Sequence, residues 1–157
     1  MFEIIWPPSL LGADGKWRTH EENEYGANDD SEALRAWISS IGKRLAPKSL
    51  ESYTSSIEKL VFWAISVRLK PLSSLGKADF DAFSEFLINP PKEWVESTPF
   101  NRLASQWRPL RAPLAPSSAD TVVGIASVMY TDWTRAGYIK RNPIYEFTRG
   151  NQPEILY

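Results

Sequence analysis

His20 is the single histidine of this 157-residue chain, and it stands among Glu21, Glu22 and Glu24. An imidazole beside carboxylates is raw material for acid–base chemistry or for a metal site. One histidine with no cysteine cannot build a His- or Cys-based metal centre, so His20 reads as a polar loop residue and no cofactor is expected. The other side chains with chemistry to offer are cations and small hydroxyls. Lys43, Arg44 and Lys48 are followed by Ser49 and Ser52; Arg108 and Arg111 lie in a proline-rich stretch; Ser117, Ser118 and Thr121 precede an apolar run that Arg135, Lys140 and Arg141 close. Cations and hydroxyls beside the open backbone N–H groups of helix starts are suited to holding phosphate. Residue by residue, solvated surface serves as well, and Ser117 and Ser118 would cap a helix whatever the function.

Those positions are set by four helical patterns. The longest lies within Leu114–Pro143, where Val122, Ile125, Ala126, Met129 and Trp133 recur at three- and four-residue steps. Pro116 with Ser117 or Ser118 as cap opens this helix of about nineteen residues, and Gly137 and Pro143 close it. Its opposite face holds Asp120, Gly124, Ser127, Thr131 and Arg135, small enough for another backbone to lie against it. A first helix is expected over about 31–45, with Asp30 as cap and Leu34, Trp37, Ile38, Ile41 and Leu45 on one face. A second is expected from a Ser49 cap to about Arg68, burying Leu50, Tyr53, Ile57, Leu60, Val61 and Ala64. A third, over 77–88, points Phe80, Phe83, Phe86 and Leu87 inward. Residues 89–116 carry six prolines with Trp94 and Trp107 and no period, a long loop before the last helix. Fold class is therefore all-α: a compact orthogonal bundle of four main helices.

Charge divides the chain unevenly. Residues 1–34 hold eight acids and two bases, whereas the remaining 123 residues hold sixteen bases and eleven acids, a balance of +5. Residues 1–29 lack a sustained period and read as an acidic arm lying on the body through Ile4, Ile5, Trp6 and Trp17. Residues 30–146 form the helical body, and 147–157 read as a linker. No run approaches the ~18 apolar residues of a membrane span. The start lacks a basic signal region, and zero Cys fits a reducing cytoplasm.

The order Leu114-x-Pro116-x-Ser118, amphipathic helix, Trp133, Ala136-Gly137-Tyr138-Ile139, Asn142-Pro143 resembles the end of the N-terminal core-binding (SAM-like) domain of tyrosine recombinases, or phage-type integrases. Nearly all of residues 30–143 share the likeness. Tyr53, Ile57, Leu60 and Trp63 match a family spacing, while Phe86–Pro91 with Trp94, then Trp107–Leu114, look like a bacterial integrase subgroup with an insertion before its last core-binding helix. One departure is the start of the second helix, Lys48-Ser49-Leu50-Glu51, where the family often has a basic or Thr-rich run.

The resemblance implies a DNA-binding module that grips a recombination-site duplex beside other integrase protomers, in a bacterial cytoplasm and on the nucleoid when bound. Neither a membrane nor a small-molecule substrate is implied. The family's catalytic domain, with an Arg, a Lys, a His-x-x-Arg and a Tyr nucleophile, has no counterpart here. Residue 23, three after His20, is Asn, and no His-x-x-Arg precedes Tyr157, so this chain alone is expected to be no enzyme. A helical protein-interaction module, using wide apolar surfaces and no DNA, is the alternative reading.

Overall fold

Apolar side chains at three- and four-residue steps wind four segments into helices. The computed structural model, which describes residues 5–95, 110 and 112–144, has them at Asp30–Gly42 (α1), Pro47–Trp63 (α2), Lys77–Ile88 (α3) and Pro116–Arg135 (α4). There is no strand among the described residues; short 3-10 turns and two isolated bridges connect the helices. The molecule is an all-α bundle in which α4 packs on α1, α2 and α3. Its core is the expected one: Trp37, Ile41, Ile57, Leu60, Phe80, Phe83, Leu87, Met129 and Trp133 are fully buried. Tyr53 is half-buried, stacked on Trp37 with ring centroids 6.4 Å apart.

Helix ends differ from the expectation at three starts, each for a local reason. Asp29, not Asp30, caps α1, its carboxylate accepting the Glu32 N–H at 3.0 Å. Asp30 is held inside instead. Ser49 caps nothing, because Pro47 takes the first helical position of α2 behind Ala46. Ser117 and Ser118 are likewise not caps: Pro116 opens α4 behind Ala115, and both serines lie within the first turn. Beyond Trp63, α2 runs on as a π-helical turn over Ala64–Arg68, ended by Leu69 at φ 58°. α4 stops where Gly137, at φ 81°, supplies the left-handed turn that follows a helix.

Residues 5–29 lie on the body, with Trp6 and Trp17 packed against its core as expected, whereas Ile5 is exposed and Ile4 lies outside the described residues. Trp17 N–H donates to the Ser73 carbonyl, Thr19 N–H to Tyr138, Glu24 N–H to Ala136, and Asp30 N–H to Leu11. A buried polar knot ties this segment to the body. Asp30 accepts from the Tyr138 hydroxyl and from both the N–H and hydroxyl of Ser73. Arg18 is buried with its guanidinium 4.1 Å from the Tyr138 ring centre, and it donates to the carbonyls of Tyr138, Ala13 and Asn28. Burial pushes the Asp30 carboxyl up to about 7, against those hydrogen bonds and the charge of Arg18. Burial and Asp30 together raise Tyr138 far above its ordinary value. The linker expected over 147–157 lies outside the described residues.

Candidate nucleic-acid interface

Aromatic contacts fix how the helices run past each other, and so which expected site residues meet. Phe80, near the start of α3, stacks edge-on with Tyr130 near the end of α4, while Leu114 N–H donates to Leu87 at the far end of α3. Tyr53, early in α2, stacks on Trp37, whose indole N–H donates to Asp132 late in α4 at 2.8 Å. The start of α2 thus lies beside the end of α4. The start of α4 is about 24 Å of helix rise away from Asp132. The starts of α2 and α4 are at opposite ends of the bundle.

One corner gathers four of the expected cations. Asp132 takes the Arg44 guanidinium at 3.4 Å and stands 4.0 Å from that of Arg135. Lys43, just past the end of α1, and Lys48, in the first turn of α2, are exposed. The geometry follows from sequence: Arg135 lies one turn after Asp132 on the same face. Arg44 reaches across from the connection because the Trp37 indole already anchors Asp132. One shared carboxylate orients two guanidiniums without cancelling both, and Ser49 and Ser52 are exposed next along α2.

No side chain caps the first turn of α2 or of α4. The N–H groups of Lys48 and Ser49 at one end, and of Ser117 and Ser118 at the other, therefore face outward as donors that an anion could use. Thr121 is exposed, but its hydroxyl donates back to Ser117 within α4. Arg108 and Arg111 lie outside the described residues.

The small-residue face of α4 is partly covered by its own chain. The Asn142 side chain donates to the Ser127 carbonyl and hydroxyl and to the Thr131 hydroxyl at 2.9–3.1 Å, and its oxygen accepts the Ile144 N–H. Pro143 and Ile144 are buried there, in helical conformation. The backbone that approaches this face is residues 142–144, while Asp120 and Gly124 nearer the start of α4 remain open.

Lys140 and Arg141 stand apart from the Asp132 corner, beside Trp17. Arg141 is 4.6 Å from the centre of the Trp17 ring and Lys16 is 4.9 Å from it. Sequence reasoning missed Lys16 because it sits in the acidic arm; its signal is a register across the chain, not a motif. Acids also approach the Asp132 corner. Glu24 is bonded through its backbone to Ala136, and burial, then the charges of Asp132 and Glu24, push the Tyr25 hydroxyl up to about 12. His20 is exposed, and no group of metal-binding side chains occurs among the described residues. No helix among them is long and apolar enough to cross a membrane. No family model, no curated protein and no solved structure matches the chain.

Proposed function

We propose that this chain is the DNA-gripping module of a site-specific tyrosine recombinase, holding the recombination-site duplex while a catalytic domain outside this chain cuts it. The observation that carries the reading is the corner of Lys43, Arg44, Lys48 and Arg135, with Asp132 orienting two of the four cations. Phosphates would be met there by the guanidiniums, by the two ammonium groups and by the uncapped N–H groups at the start of α2. Such bonds position a duplex without reading its bases. The motive for a protein-interaction module was a wide apolar surface. Among the described residues the large aromatics lie mostly in the core, and Ile5 and Leu69 are the exposed large hydrophobics.

Fluorescence anisotropy of a labelled duplex, titrated with the whole chain at several salt concentrations, tests the reading. Neutralising four to six phosphates gives a log–log salt slope of roughly −4 to −5. Replacing Lys43, Arg44 and Lys48 by Ala should flatten it by about one unit for each phosphate that these side chains neutralise. Binding that ignores salt, or no binding, rejects the reading in favour of the protein-interaction module. A nicked suicide substrate should yield no covalent adduct with this chain alone, because the cation cluster and nucleophile of the family's active site are expected elsewhere.

A further inference from the structure

The antiparallel bridge between Arg18 and Ile139 sets a register with a consequence for charge. Lys140 N–H donates to the Trp17 carbonyl at 2.8 Å and Thr19 N–H to Tyr138 at 3.2 Å, the pair of bonds that flanks such a bridge. One step along, Trp17 faces Lys140; one step further, Lys16 faces Arg141. Like charges directly opposite each other across paired strands are destabilising. Here both cations lie against one indole, 4.9 and 4.6 Å from its centre. That indole cannot turn away: its N–H donates to the Leu75 carbonyl at 2.8 Å, and Trp17 N–H to Ser73 at 2.9 Å. Lys16 is pinned too, its N–H on the Ser74 hydroxyl at 3.0 Å. Lys16, Lys140 and Arg141 are all exposed. Two cations held against a fixed aromatic platform, with the exposed Lys140 next to them in the chain, suit a multivalent anion arriving from solvent.

We propose that Lys16 and Arg141, held over Trp17, form with the neighbouring Lys140 a second phosphate-gripping site for the backbone of duplex DNA. This rests on the DNA-binding reading above. Trp17 acts as a platform for the cations and does not stack on bases, because its edge is already bonded into the 73–75 turn. The segment 5–29 thereby contributes to binding, whereas its net charge alone would have it oppose binding.

The test uses the whole chain with Lys16→Gln, Arg141→Gln and the double variant, read by salt-dependent anisotropy on a labelled mixed-sequence duplex and by thermal melting without DNA. The expected result is a salt slope shallower by about 0.9 for each cation removed, with the melting temperature close to that of the wild type because both side chains are exposed. If wild-type binding is salt-dependent and the variants keep its slope, this site is overturned while the DNA-binding reading stands. If the variants melt well below wild type, the cations hold structure and the site is overturned. If the wild type itself shows no salt-dependent binding, both proposals fall.

Discussion

At the scale of single residues, the most demanding group is Asp30, buried from water and bonded to Ser73 and Tyr138. Its folded pKa of about 7 lies above the ordinary 3.8. A carboxyl raised on folding contributes stability that is full below the unfolded pKa and is lost as pH rises through the folded one. Between about pH 4 and 7 the folded chain should therefore lose stability by one proton's worth of linkage. Asp79 works the other way. Burial would raise it, but Lys70 at 2.8 Å, the Gly76 N–H and Arg68 at 2.6 Å hold it below the ordinary value. Its contribution is present above pH 3.8 and is lost as pH falls further. Asp30→Asn should remove the loss between pH 4 and 7 and leave the acid limb, as thermal melts across pH 3–9 would show. A melting temperature of Asp30→Asn that still falls over pH 4–7 would place the titrating group elsewhere. None of this was legible in the sequence. Asp30 looks like a helix cap beside Asp29, and its real partners are 43 and 108 residues away.

At the scale of elements, the helices were legible because their signal is local: α3 runs over the expected 77–88, and the expected core residues are buried except Leu45, Leu50 and Tyr53, which are half-buried. What escaped the sequence was set by non-local bonds. The segment 11–28 has no periodicity, yet the 72–75 turn and residues 136–140 order it. Starts of helices were misjudged where a proline, not a serine, holds the first turn. The cations of the candidate site could be named from the sequence, but their grouping around Asp132 depends on Trp37, which looked like core alone. α4 gives two stability predictions. Trp133 is enclosed between the rings of Tyr130 and Tyr138, at 5.5 and 4.9 Å. Trp133→Ala should cost about 3–5 kcal/mol in denaturant unfolding. Its indole N–H is buried without a hydrogen-bond partner, so Trp133→Phe, which keeps a ring and removes that donor, should cost clearly less. Equal costs would mean that ring packing contributes little there. Asn142→Ala deletes three bonds to the Ser127–Thr131 face and the cap on Ile144, and should cost about 1–2 kcal/mol.

At the scale of the whole molecule, the question is how a chain of net charge −1 would hold DNA. Six of the eight acids of residues 1–34 divide into two kinds. Asp29 caps α1, Asp30 is buried, and Glu32 accepts the Asn28 N–H at 2.8 Å. Glu21, Glu22 and Glu24 are exposed on the loop whose backbone reaches Ala136, next to Arg135. Deleting residues 1–29 would not isolate their effect, because it removes the α1 cap and the Arg18 side of the buried knot. That truncation should lose cooperative unfolding. The clean variant is Glu21, Glu22 and Glu24→Gln, which keeps every backbone bond. For a phosphate on the order of 12 Å from the loop, each carboxylate opposes binding by about 0.35 kcal/mol in unscreened water. Three together amount to about 1 kcal/mol unscreened, and to about 0.7 kcal/mol, or roughly threefold in affinity, where the Debye length is near 30 Å at 0.01 M salt. At 0.15 M that length is about 8 Å and the same repulsion shrinks to roughly 0.2 kcal/mol, less than a twofold effect. The triple variant should therefore bind a labelled duplex about threefold tighter than wild type at the lowest salt and nearly equally at physiological salt. A gain that persists undiminished at high salt would mean that the carboxylates touch the duplex directly, and no gain at low salt would move the DNA away from the Asp132 corner.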